Sequence, residues 1–133
     1  MNRDPKNPAA SAIVSARAPR PLGPYPHARR LGNLLFLSGI GPRHRVTEQI
    51  PEGIEAQTRA CIENVKAILE DAGSALEKVV DVTVFLTNID RDFAVFNRVY
   101  GEYFEAIQPT RTTVGVVALP VLISVELKII AES

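Results

Sequence analysis

The sequence predicts an α+β fold in which a mixed β-sheet carries two helices packed on one face. Three observations lead there. Two amphipathic stretches have helical spacing, a β-branched alternating segment lies between them, and two further strand-like segments close the chain. The order is strand, helix, strand, helix, strand, strand.

Met1 to Pro21 holds Pro5, Pro8, Pro19 and Pro21, and its only apolar pair is Ile13-Val14. So little apolar surface does not offset the entropy of ordering the segment. Residues 1–21 therefore read as a flexible arm, free to dock on a neighbour, and residues 22–133 as one domain. Arg3, Arg17 and Arg20 hint at a targeting peptide, but Asp4 and the prolines spoil an amphipathic helix. After the turn Gly32-Asn33, Leu34 to Ile40 reads as a strand, broken by Gly39, Gly41 and Pro42. Arg43 to Gly53 is a polar loop. Ile54, Cys61, Ile62, Val65, Ile68, Leu69 and Ala72 then recur in steps that keep them on one helical face, with Gly73 as the stop. Val79 to Thr87 alternates, with Val80, Val82, Val84 and Leu86 on one face and Asp81, Thr83 and Phe85 on the other. Asp90 stands where an N-cap belongs, ahead of a helix carrying Phe93, Phe96, Tyr100, Tyr103 and Phe104 and ended by Pro109. Thr112 to Ala118 and Ile123 to Ala131 are the last strands. The apolar stretch Pro120 to Ile123 between them suits either a subunit interface or a turn folded under its own arm.

Composition narrows the function. Lys plus Arg and Asp plus Glu number 15 each, a net charge of zero that argues against gripping a phosphate backbone. A lone cysteine forms no intramolecular disulfide and no Cys-rich zinc site, and Cys61 on an apolar helix face reads as inert core. No apolar run is long enough to span a bilayer. A cytoplasmic protein without membrane or nucleic-acid partners or metal is expected. Near-zero net charge also favours a defined oligomer.

Phosphate loops, nucleophile elbows and zinc motifs are absent, so individual residues carry the reading. Arg111, between Pro109 and Thr112-Thr113-Val114, is either a fixed guanidinium that grips a carboxylate or a surface arginine paired with a local acid. Glu126, between Val125 and Leu127, shares a face with Lys128 and is either solvated or in a pocket, where its pKa would rise and it would move protons. Tyr25, between Pro24 and Pro26, walls a pocket or caps the core. His27, Arg29 and Arg30 read as exposed.

Together these residues resemble the RidA (YjgF) family of enamine/imine deaminases, from about Leu22 to Ala131. The resemblance rests on Gly23-Pro24-Tyr25, Gly32 to Gly39, Ile54 to Arg59, Glu63 to Leu69, Val82 to Leu86, Phe93 through Asn97 to Tyr100, Pro109 to Val114, Leu119-Pro120 and Val125-Glu126-Leu127. It implies a chorismate-mutase-like fold assembled as a homotrimeric barrel, with active sites between subunits and no cofactor. By the same resemblance, Arg111 holds the substrate carboxylate and Glu126 positions water and moves protons. Tyr25, Ser38, Gly39, Asn97 and Thr113 line the site. The implied reaction turns an enamine or imine acid into a 2-oxo acid and ammonia.

Ile40 stands where the family usually has Gln, Thr113 where Cys is common, Gly115 replaces a common acid, and Ala118 a charged residue. The run Leu37 to Arg43, with Arg20 to Arg30, looks most like the 2-aminomuconate deaminase branch. That substrate is a dicarboxylate, and Arg43 is the candidate second cation. Alternatives are a general 2-iminobutanoate/2-iminopropanoate deaminase, a non-catalytic carboxylate-binding module, and a nuclease or translation inhibitor.

Overall fold

The computed structural model describes residues 7–133. One six-stranded sheet holds β1 (Ala12–Ile13), β2 (Ala28–Leu31), β3 (Leu34–Leu37), β4 (Val79–Leu86), β5 (Thr110–Gly115) and β6 (Val125–Glu132) in the order β1-β2-β3-β6-β4-β5. Helices α1 (Ile54–Asp71) and α2 (Ile89–Phe104) cover one face. All pairings are antiparallel except β4 with β5. Among the described residues, no helix is long and apolar enough to cross a membrane.

The central strand β6 shows the alternation at its cleanest. Val125, Leu127, Ile129 and Ala131 are buried beneath the helices, while Glu126, Lys128 and Ile130 are only partly covered on the opposite face. Val82, Val84 and Leu86 of β4 extend the buried layer, and Ile62, Val65, Ile68 and Leu69 of α1 with Phe96 and Phe104 of α2 fill it from above. Truncating a fully buried leucine such as Leu127 to alanine typically costs about 2–5 kcal/mol.

Several local expectations are corrected. A register shift between Val79 and Asp81 puts Val79 in the core and leaves Val80 43% exposed, so the alternation holds only from Val82. The cap of α2 is Asn88, whose Oδ1 accepts from the Arg91 amide; Asp90 sits inside the first turn, favoured there by the helix dipole. The last two strands run Thr110–Gly115 and Val125–Glu132 rather than 112–118 and 123–131. Strand β2 was missed altogether. It pairs Leu31 with Leu34 across the two-residue turn Gly32-Asn33, with Gly32 at φ 62°, where a hairpin needs glycine.

The expected arm also looks different from Asn7 onward; residues 1–6 lie outside the described part. Ala12 and Ile13 pair with Arg29 and Ala28, adding β1 to the sheet edge. Beyond β1, polar groups hold the chain. His27 is buried, and its Nδ1 accepts from the Ser15 amide at 2.9 Å while Nε2 lies 2.6 Å from the Pro19 carbonyl. An Nδ1 that accepts places the proton on Nε2, which donates to Pro19. Arg17 donates to Asp71 and Glu70 at the end of α1, and the Ser15 hydroxyl donates to Asp71. The Asp71 carboxyl is held below its ordinary range by the Ser15 hydrogen bond and then by Arg17. Counting apolar residues missed a segment held by hydrogen bonds.

His27→Ala removes both of the ring's hydrogen bonds, for roughly 1–3 kcal/mol of local stabilisation. Faster tryptic cleavage after Arg17, with the α1 and β6 amides still protected from hydrogen exchange, is the expected result.

Candidate functional site

Between β3 and β6 the ladder carries one extra residue. Phe36 pairs with Ile130, and the next bridge joins Ile40 to Leu127, so residues 37–39 face only 128 and 129. This β-bulge turns Ser38 and Gly39 toward Glu126. A Cβ built on Gly39 would fall 2.4 Å from Glu126 Oε2 and 2.9 Å from its Cδ, so only glycine lets the carboxylate lie there. The carbonyl of Leu37, freed by the bulge, accepts from Lys128 Nζ. Ser38 donates its hydroxyl to the Pro26 carbonyl at 2.7 Å.

Around Glu126 the chain forms a small pocket of about 70 Å³, with Tyr25, Ser38, Gly39 and Arg43 in its lining. Pro19 to Leu22 and the apolar turn at Pro120, Val121 and Ile123 make its other walls. That apolar turn is thus split: Ile123 is buried, and Leu122 is 96% exposed. Two polar residues of α1 that sequence reasoning gave no role hold these walls. Gln57 donates to the Pro51 carbonyl and accepts from the Ser124 amide at 2.7 Å, and Asn64 donates to the carbonyls of Gly41 and Arg43. Their signal was present: Gln57 and Asn64 lie seven residues apart, on one side of the helix.

The Glu126 carboxylate has no ion pair and no hydrogen bond among the described residues. Burial raises its pKa above the ordinary carboxylate range. Lys128, on the same face, is pushed down by burial. Cys61, fully buried, donates to the Ile40 carbonyl at 2.9 Å; burial, then the charge of Glu126, pushes its thiol up, as inert core would have it. Arg43 reaches the pocket, but its guanidinium donates to Glu48 at 2.7 Å and to the Arg20 carbonyl. Among the described residues, no three His, Cys, Asp or Glu side chains cluster as a metal site would require.

Arg111 and Thr113 lie elsewhere. They pair with Val82 and Val84, whose side chains face the helices, whereas Glu126 pairs with Phe85 on the opposite face. Arg111 and Glu126 are therefore two strands apart, roughly 10 Å across the sheet, offset by a further three residues or roughly 10 Å along it, and on opposite faces. Arg111 is not paired with a local acid among the described residues: its NH2 donates to Asn97 Oδ1 at 2.7 Å, and its Cζ lies over Phe96 and Tyr100. The chain thus gathers Tyr25, Ser38, Gly39, Arg43 and Glu126 in one place and Asn97 and Arg111, with Thr113 nearby on the same strand, in another.

A carboxyl whose pKa is raised on folding stabilises the fold below its ordinary pKa, and that contribution disappears as pH rises through the folded value. Glu126→Gln is therefore expected to melt higher than wild type at pH 8, with the difference vanishing toward pH 4, as scanning calorimetry across that range would show.

Residues 15–133 match the family model described as Endoribonuclease L-PSP. The chain is 44% identical over 124 residues to a RutC family protein of Pyrococcus abyssi, covering 92% of this chain and 97% of that protein. It is 39% identical over 122 residues to the Escherichia coli protein provisionally named reactive intermediate deaminase TdcF, covering 90% and 94%. Among solved structures, E. coli TdcF with bound serine superposes with a TM-score of 0.86 at 38% identity, over 92% of this chain and 98% of that one. The E. coli YjgF gene product superposes at 0.86 with 35% identity, over 91% and 97%. With its fold, its length and its sequence all matched, the chain belongs to the Endoribonuclease L-PSP family, the family of the RutC, TdcF and YjgF proteins.

Proposed function

We propose that this protein is a cofactor-independent deaminase that hydrolyses enamine or imine carboxylic acids to 2-oxo acids and ammonia, at sites completed between copies of the chain. The observation that carries the reading is Glu126: a carboxylate with a raised pKa, unpartnered among the described residues, against Gly39 at the edge of a pocket. Such a group holds a proton more readily than an exposed carboxylate and is suited to passing one to and from water. The deaminase name of TdcF and the serine held in its structure support a small carboxylate substrate.

In this reading Arg111 takes the substrate carboxylate through the N–H groups that Asn97 leaves free. An enamine substrate first tautomerises to the imine. Glu126 accepts a proton from water as the water oxygen bonds to the imine carbon. It returns that proton to the nitrogen, which gives a carbinolamine; it then takes the proton of the new hydroxyl and passes it to the same nitrogen, so that the C–N bond breaks and ammonia leaves as the carbonyl forms. No electrons are exchanged with any other group.

The separation of Arg111 from Glu126 in one copy supports a composite site, as does the size of the Glu126 pocket, with room for a few waters rather than a substrate. A homotrimer is the proposed assembly. Among the described residues strand β5 has an unpaired edge, and nearby Val117 is fully exposed, as is Leu122, so the surface needed for such contacts is present. The proposed setting is the cytoplasm, where the buried Cys61 thiol stays reduced.

The finer candidate substrate is 2-aminomuconate. Its second carboxylate would have to draw Arg43 from Glu48, which is about half exposed, so the pair holds Arg43 by no more than about 1 kcal/mol.

Ammonia release from 2-iminobutanoate and 2-aminomuconate tests both levels. Glu126→Gln should lose about 10²–10⁴-fold in kcat, and Arg111→Ala should lose most of its kcat/KM on either substrate. Refolding these two variants together at equal amounts should restore about one quarter of wild-type activity, the chance that a shared site draws both intact residues; no recovery would place the site within one copy. Arg43→Ala should raise KM several-fold for 2-aminomuconate alone, since only the dicarboxylate needs a second cation. Carboxylate binding without turnover of either substrate would point to the binding module instead.

A further inference from the structure

Arg111 lies on an aromatic bed supplied by α2. Its Cζ is 4.7 Å from the centroid of the Tyr100 ring, 5.4 Å from Phe96 and 5.9 Å from Phe93. Tyr100 in turn stacks on Phe104 with centroids 4.6 Å apart. Cation–π contact fixes the plane of a guanidinium while leaving its edge free for an anion. A phenylalanine at position 100 would provide the same bed. The hydroxyl is the unexplained part.

Tyr100 Oη is buried and has no hydrogen-bond partner among the described residues, and the same holds for Thr113 Oγ1 on the Arg111 side of β5. An orphaned buried hydroxyl destabilises a fold, so one carried by the ring on which the guanidinium lies, with a second two residues along β5, marks a place where a polar group is missing. Tyr100 also lines an open cleft of about 540 Å³ together with Asn97, Gln108, Pro109 and Arg111. Burial pushes the Tyr100 hydroxyl up to about 12, so it carries its proton throughout the neutral range and can donate. A carboxylate offers about four lone-pair positions, of which a bidentate guanidinium takes two.

We propose that the Tyr100 hydroxyl is a second recognition contact in the Arg111 cleft, donating a hydrogen bond to a carboxylate oxygen of the ligand that the guanidinium holds. This rests on the reading of Arg111 as the carboxylate clamp. Loss of the hydroxyl weakens ligand binding and leaves the bond-breaking steps at Glu126 unaffected.

Tyr100→Phe keeps the ring and removes only the hydroxyl. Titration calorimetry with 2-oxobutanoate is expected to show a Kd raised about tenfold, with KM for 2-iminobutanoate raised to match and kcat within about twofold of wild type. Its Tm is expected to equal or exceed that of wild type, because the protein no longer buries an unpaired hydroxyl. An unchanged Kd in Tyr100→Phe, beside an Arg111→Met variant that no longer binds, overturns the Tyr100 assignment and leaves the clamp standing. Wild-type binding by Arg111→Met removes the clamp and this contact with it. Weaker binding accompanied by a lower Tm makes the hydroxyl part of the fold or of contacts between copies, and likewise overturns the proposal.

Discussion

Where β3 runs past Leu37, three residues face two on β6, and most of the Glu126 pocket depends on that mismatch. Regular pairing would set Ile40 opposite Glu126; the extra residue sets it opposite Leu127 and leaves Gly39 against the carboxylate. It also lets Leu37 and Ile40 both enter the core although they are three residues apart. The carbonyl left out of the ladder is taken up by Lys128, so the bulge is held by a side chain of the strand it faces. The restriction at position 39 is thus one of space: the Glu126 carboxylate occupies the volume of a side chain.

The two polar centres differ in character. Glu126 is a carboxylate that no cation neutralises among the described residues, and burial makes its charge costly. Arg111 is a cation that donates to an amide and lies on aromatic rings, with no acid paired to it among those residues. Each has the opposite sign to the other's need, and the sheet itself separates them within one copy. Asn97 orients the guanidinium without neutralising it, which preserves its attraction for an anion.

Much of the fold could be read from apolar periodicity, because α1, α2, β4 and β6 each bury one clear face. What escaped was held by polar groups or by pairing alone. Strand β2 reads Ala-Arg-Arg-Leu and has no apolar stripe; its existence depends on β3 and on the Gly32 turn. The segment from Ser15 to Pro19 is held by His27, Arg17 and Asp71, three residues that hydropathy scores as surface. Of the candidate site, Glu126 was legible as a carboxylate in an apolar strand and Arg111 as a guanidinium where the chain enters the sheet. Their placement on opposite faces was not, because it depends on which partner each strand meets in the sheet. Tyr100 was read only as an aromatic of the helix face, since a sequence does not show that its hydroxyl lacks a partner.

The position of β6 has a kinetic consequence. Among the described residues it is the only link in the sheet between β1-β2-β3 and β4-β5, and it comes after both of them in the chain. As residues leave the ribosome in sequence order, the earlier strands emerge as two pieces with no ladder between them, and the core-facing leucines and valines of each stay open to water. Closure waits for residues 125–132, whose pairings with β3 reach back across most of the domain and are slow to find for that reason. The nascent chain therefore passes through a long interval with unpaired strand edges, during which chaperones or early encounters with other copies have their greatest effect.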